Sequence, residues 1–349
     1  MRSVNVLITY PTPWIDEKCQ QEIVKIGPEV KVRAVTELLT PALRGSFTSK
    51  DEFDALMAED FHAKDEFDAL LADTEVIFGL KLPRDLIARA PHLKWIQSTS
   101  AGVDYLLTDE ALIRSSVIVT RVWGIHDVVL SEFAIGLMLT FAKGFNLYRD
   151  LQSEKQWQPS GTAITLHSRT VGIVGMGDVG RAVARLARAF GMRVIAVRRS
   201  VTEATQSEYA DTVLPVAELP RLLSESDYVV ISCPLTRETR HMIGESELRM
   251  MKPTSCLINI SRGGIVNEAA LIRALEEHWI AGAGLDVFET EPLPMESRFW
   301  DLPNAVVIPH TSWWRLDYFE QATLRFCDNL RRYLREEDLL SIVDKRLGF

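Results

Sequence analysis

The pattern Gly175-x-Gly177-x-x-Gly180 constrains this chain more than any other stretch. It stands between an apolar run, Thr170–Val174, and a segment of helical period, and a second apolar run, Val194–Val197, follows. Strand, tight turn, helix and strand in that order make a βαβ unit whose first turn holds a pyrophosphate. Gly175 permits the turn, Gly177 lets the backbone approach the phosphates, and Gly180 lets helix and strand pack closely. Met176, Asp178 and Val179 complete the loop and open the helix, whose N-terminus supplies amide donors and a partial positive charge. Where an acidic residue would bind ribose hydroxyls after the second strand, this chain has Arg198, Arg199 and Ser200. Two guanidiniums and a hydroxyl suit a 2′-phosphate, so the expected cofactor is NADP, with NAD as the alternative.

At 349 residues the chain exceeds what one core usually serves, and two domains are expected. A net charge of −9 without a long basic block argues against nucleic acid as a partner. No run of about 18 apolar residues occurs, so no membrane partner is expected. Cys19, Cys233, Cys256 and Cys327 are far apart and form no C-x-x-C. They read as reduced thiols of a cytoplasmic protein, and no metal is expected. The opening MRSVNVLITYPTP reads as a strand and not as a signal peptide.

Five apolar runs precede the glycine unit: Val4–Thr9, Val30–Val35, Glu75–Leu80, Leu93–Ser98 and Val117–Val122. Their spacing fits a small parallel α/β sheet. Between them KDEFDAL occurs at 50–56 and again at 64–70, close to four helical turns on. Residues 46–77 lack Gly and Pro, and Ser49 with Glu52 forms a candidate capping box, so one long helix or two consecutive amphipathic helices are expected there. Leu130–Phe141 is apolar at helical spacing and reads as a buried helix between domains or subunits. Past the glycine unit, strands are expected at Tyr228–Cys233, Ser255–Ile260, Ala283–Phe288 and Ala305–Ile308, with helices over Glu238–Met251, Glu268–His278 and Asp317–Glu336. Continuous apolar runs belong to strands covered on both faces, so the fold class is α/β with a doubly wound parallel sheet.

Ligands in such sheets bind outside the carboxyl ends of the strands, and three motifs lie there. Arg262 follows the run Ser255–Ile260, where its planar fork can grip a carboxylate bidentately. Asp286, Glu289 and Glu291 cluster after Ala283–Phe288; from this stretch alone a solvated acidic turn is the plainer reading. His310 follows Ala305–Ile308 and a proline, and histidine trades protons near neutral pH.

Taken together these pieces resemble the D-isomer-specific 2-hydroxyacid dehydrogenase family. The glycine loop, the stretch 233–264 ending in SRGG, LDVFETEP at 285–292, PH at 309–310 and SAGVD at 100–104 agree in order and spacing over roughly residues 76–330. The resemblance implies a reductase that passes a hydride between NADP(H) and a small 2-oxo acid such as glyoxylate or hydroxypyruvate. It makes Arg262, Glu291 and His310 the catalytic set, with Glu291 pairing His310. The backbone of Ala101, Gly102 and Val103 holds the substrate carboxylate beside Arg262. Cys233, Pro234, Thr236, Ile260, Arg262, Asp286 and His310 border the cofactor, together with the glycine loop and Arg198–Ser200. It further implies a flavodoxin-like substrate domain from residues 1–116 and 313–349, a Rossmann domain from 117–312, and a homodimer.

Two departures stand out. Arg198 replaces the acidic residue of NAD-type relatives. The two glycines that often follow the histidine are absent, and Trp313 and Trp314 stand there instead. Trp313 is a candidate wall of the substrate pocket, core or interface packing being the alternative. A binding protein of the same fold, a nucleotide-sensing corepressor, is the alternative function.

Overall fold

Short runs covered on both faces become parallel strands, because crossover helices occupy each side of the sheet. The computed structural model describes residues 3–9, 17–35, 64–80, 82–83, 85–159 and 163–348. The first sheet holds β1 (Val4–Ile8), β2 (Val30–Ala34), β3 (Val76–Gly79), β4 (Trp95–Ser98) and β5 (Ile118–Thr120). All pair in parallel, in the order β2-β1-β3-β4-β5, the flavodoxin-like arrangement. The second sheet holds β6 (Thr170–Val174), β7 (Arg193–Val197), β8 (Thr212–Leu214), β9 (Tyr228–Ile231), β10 (Cys256–Asn259), β11 (Gly282–Leu285) and β12 (Ala305–Val307). It too is parallel, in the order β12-β11-β10-β9-β6-β7-β8, so the strand order reverses between β6 and β9. That is the doubly wound dinucleotide-binding order with one further strand.

The chain divides into two units, Met1–Ile125 with Arg315–Phe349, and His126–Trp314. The strand β5 pairs with β4 of the first sheet, so the first unit runs past residue 116. Its core is closed by the late helix Tyr318–Leu334, whose Phe326 stacks on Phe78 at 4.4 Å and on Trp95 at 5.3 Å. Tyr318 donates its hydroxyl to the Thr99 carbonyl at 2.5 Å. The second KDEFDAL copy lies in the helix Lys64–Ala72, which buries Phe67 and Leu71. The first copy, with Ser49 and Glu52, lies outside the described residues.

In the second unit the helix His126–Lys143 buries Ala134, Ile135, Leu137 and Met138 in that unit's own core. Gly282 and Gly284 of β11 leave the room: an added Cβ would lie 2.8 Å from Phe141 and 3.0 Å from Leu137. The helix expected over 238–251 is shorter, Glu245–Met250. His241 has φ 52°, Gly244 is extended, and Glu247 accepts the Gly244 amide at 3.0 Å, a capping arrangement that starts the helix there. Ile243 is meanwhile drawn into a bridge with Val266.

Register brings the strand ends into line. Val174 aligns with Val197 and with Ile231, Asn259 with Ile231 and Leu285, and Leu285 with Val307. The loops that leave these residues therefore form one edge, and every second-half candidate lies on it.

Candidate active site

The turn after β6 is held by backbone contacts that only glycine allows. Gly175 has φ +104°, and a Cβ there would lie 2.7 Å from the Cys233 amide nitrogen. A Cβ on Gly180 would lie 2.1 Å from the Gly175 carbonyl, so the helix Asp178–Ala189 sits directly on the turn. Ser232 donates its hydroxyl to that same carbonyl at 2.7 Å. Gly177 is different: nothing lies within 4 Å of a Cβ built on it. It caps the helix in an extended conformation, so the helix amides face open space that a side chain would fill. Met176 is buried, while Asp178 is exposed and pairs with Arg181. Arg198, Arg199 and Ser200 are exposed on the turn after β7, where the Arg198 amide donates to Leu214 at 3.0 Å. Among the described residues the Arg198 guanidinium forms no ion pair.

Next along the edge, the loops after β9 and β10 are tied together. Ser261 donates its hydroxyl to the Cys233 carbonyl. Burial pushes the Cys233 thiol up to about 12, so it stays protonated near neutral pH. Pro234 lies in the same loop, and Thr236 closes a turn by donating its amide to Thr239 Oγ1 at 2.7 Å. Ile260 is buried. Asn259 folds the Arg262 turn: its Nδ2 donates to the Arg262 carbonyl at 2.9 Å and its Oδ1 accepts from Ser261 at 3.1 Å. Arg262 is half-buried, with Nη1 donating to the Ser261 carbonyl at 2.8 Å. Gly263 then presses on the neighbouring loop so closely that a Cβ would lie 1.9 Å from the Phe288 carbonyl carbon.

The loops after β11 and β12 carry the charge. His310 Nδ1 and Glu291 Oε2 are 2.7 Å apart. The other Glu291 oxygen accepts the Phe288 amide at 3.0 Å, so the carboxylate is oriented from both sides. Asp286 is completely buried, which overturns the solvated acidic turn for this residue. Its Oδ1 accepts from the amides of Thr311 at 2.8 Å and Ser312 at 3.1 Å, and its Oδ2 accepts the Ser312 hydroxyl. Three donors compensate the buried carboxylate and wrap the histidine loop around it. Trp313 donates its indole N–H to the His310 carbonyl at 2.8 Å and meets Trp314 edge-on at 5.2 Å. A second exchange buttresses the acidic loop: Glu268 and Glu289 each accept the other's backbone amide, at 2.6 and 3.1 Å, and Glu289 lies 3.2 Å from His241 Nε2. Burial, with Glu289 and Glu291 nearby, raises the Glu268 carboxyl above its ordinary range.

The fold thus joins Glu291 to His310, Asp286 to the histidine loop, and the Arg262 loop to the acidic loop. Ala101, Gly102 and Val103 lie in the first unit, in the loop after β4. Among the described residues their three amides have no hydrogen-bond acceptor. Sequence reasoning missed the Asn259 turn, the Thr311 and Ser312 donors and the Glu268–Glu289 exchange. A polar residue ending a buried strand was the available signal for Asn259; the exchange joins residues too distant in the chain to leave one.

The family described as D-isomer specific 2-hydroxyacid dehydrogenase, NAD binding domain, matches residues 135–312. A glyoxylate reductase of Thermococcus gammatolerans is 38% identical over 238 residues, 66% of this chain and 70% of that one. A glyoxylate reductase of Pyrococcus furiosus is 34% identical over 275 residues, 76% of this chain and 80% of that one. The solved NADPH-dependent glyoxylate/hydroxypyruvate reductase of Sinorhizobium meliloti, in complex with NADP and sulfate, superposes with a TM-score of 0.79 at 27% identity, covering 99% of this chain and all of that one.

Proposed function

The chain belongs to the D-isomer specific 2-hydroxyacid dehydrogenase family, oxidoreductases acting at a CH–OH carbon, and on that premise we propose that it reduces small 2-oxo acids with NADPH, glyoxylate and hydroxypyruvate being the first candidates. The observation that carries this is the His310–Glu291 pair, 2.7 Å apart on a shared strand edge with the glycine turn.

The residues present fit the cofactor. Gly177 leaves open space before the amides of a helix 12 residues long, which suits a pyrophosphate. Arg198, Arg199 and Ser200 stand exposed at the end of β7, where a 2′-phosphate needs cationic and hydroxyl donors. When bound, the nicotinamide supplies the hydride. The protein's part is position and charge. Glu291 engages Nδ1 of His310, so Nε2 is the nitrogen that gives the proton to the substrate oxygen in reduction and takes it back in oxidation. Arg262 grips the substrate carboxylate and polarises the adjacent carbonyl. The amides of Ala101, Gly102 and Val103 are further carboxylate donors.

The same reading makes the protein a cytoplasmic homodimer. Support for the dimer is the helix Phe145–Ser153, which buries none of its residues and exposes Phe145, Leu147 and Tyr148, with Trp157 fully exposed just beyond. A screen of NADPH oxidation over glyoxylate, hydroxypyruvate and bulkier 2-oxo acids, repeated with NADH, tests the function. Oxidation confined to NADPH and the smaller acids is expected. Tight NADPH binding without turnover of any acid would replace the reductase with a nucleotide-sensing binding protein.

A further inference from the structure

His310 has a φ of 49°, in the left-handed region that a β-carbon disfavours. Such a backbone persists only where its surroundings over-determine it. Here the hold acts on both sides of the residue. The His310 amide donates to the Asp286 carbonyl at 2.8 Å, and the His310 carbonyl accepts from Trp313 Nε1 at 2.8 Å.

We propose that Trp313 is a positioning residue: its indole N–H fixes the His310 peptide in the left-handed turn that aims Nδ1 at Glu291 and leaves Nε2 for the substrate. The proposal rests on the reductase reading above. The peptide between His310 and Thr311 is gripped at both ends, its carbonyl by Trp313 and its amide by Asp286 Oδ1 at 2.8 Å. Asp286 takes the amides of the loop, and Trp313 takes the carbonyl at its apex. The Trp314 ring, edge-on at 5.2 Å and 71°, supports the indole in that orientation. A pocket wall needs only an apolar ring face, which phenylalanine also offers. A carbonyl brace needs the N–H, and phenylalanine has none.

Trp313→Phe separates the two roles. With glyoxylate and NADPH, the brace predicts a kcat lowered roughly tenfold to 10²-fold, the loss that a displacement of about 1 Å at a reacting group produces. KM for glyoxylate and for NADPH stays within about twofold, because ground-state binding is untouched. The downfield Nδ1 proton resonance of His310, identified by its loss in Glu291→Gln, weakens or disappears in Trp313→Phe. A wild-type kcat with a raised glyoxylate KM would make Trp313 a wall and overturn the proposal, as would an unchanged kcat with an unchanged resonance. Should Trp313→Phe fail to fold, indole hydrogen exchange in the unmutated protein decides. Slow exchange at Trp313 against the fully exposed Trp157 supports the brace, and equal rates at the two overturn it. If the unmutated protein turns over no oxo acid, the reductase reading fails, while the resonance and the exchange rates still judge the brace.

Discussion

Gly263→Ala is the substitution whose outcome the geometry fixes most tightly. The added Cβ would lie 1.9 Å from the Phe288 carbonyl carbon, 2.2 Å from its oxygen and 2.4 Å from the Glu289 nitrogen, whereas real Cβ atoms essentially never approach within 3.0 Å. All three neighbours are backbone, so no side chain can swing aside. The Arg262 loop and the acidic loop must part by roughly 1 Å, and a misplacement of that size costs about 10²-fold in rate. Overpacking of this kind costs about 1–3 kcal/mol. For a unit of this size each kcal/mol lowers Tm by about 2–4 °C, so the drop should be roughly 2–12 °C. Thermal unfolding and steady-state kcat/KM for glyoxylate measure both effects. Gly177→Ala is the control, since nothing lies within 4 Å of its added Cβ. It should melt close to the unmutated protein but bind NADPH more weakly, because the methyl group enters the open space before the helix. Wild-type kcat/KM in Gly263→Ala would show that contact between the two loops does not set the Arg262 position.

Two further outcomes are expected. Arg198→Asp combined with Arg199→Ala should move the NADPH/NADH preference toward NADH by at least about 10–10²-fold, the range for losing a single charge-assisted hydrogen bond, and an unmoved ratio would remove these arginines from the phosphate site. Burial pushes the thiols of Cys256 and Cys327 up to about 12, so both stay protonated near neutral pH; a thiol reagent should modify these two only after denaturation, and their rapid labelling in the native protein would contradict that burial.

Strands buried on both faces were legible because nothing interrupts their apolar runs: Thr170–Val174 coincides with β6, and the other expected strands lie within a residue or two of theirs, except that Ala283–Phe288 runs three residues past the end of β11 at Leu285. The edge strand Thr212–Leu214 escaped because its apolar run is only Val213 and Leu214 before Pro215, too short for a pattern. The helix expected from Glu238 failed in its first half because Ile243 pairs with Val266, a contact that periodicity does not encode. At the site, residue types and order were readable, since Arg262, Asp286, Glu291 and His310 each follow a strand that ends on one edge. Their pairing was not readable from local pattern. Glu289 and Glu291 are two residues apart, yet one carboxylate meets His241 and Glu268 and the other meets His310. The acidic turn looked solvated because burial of Asp286 depends on donors 25 and 26 residues further on. Trp313 shows the same limit: its indole N–H meets the carbonyl of a residue with a left-handed backbone, a pairing that no local pattern encodes.

NADPH oxidation by His310→Ala with glyoxylate, measured beside NADPH binding by fluorescence, tests most directly whether His310 moves the proton. Turnover should fall roughly 10²–10⁴-fold, the usual share of a general acid, while NADPH affinity holds. Turnover at the unmutated rate would contradict the assignment of His310 as the acid.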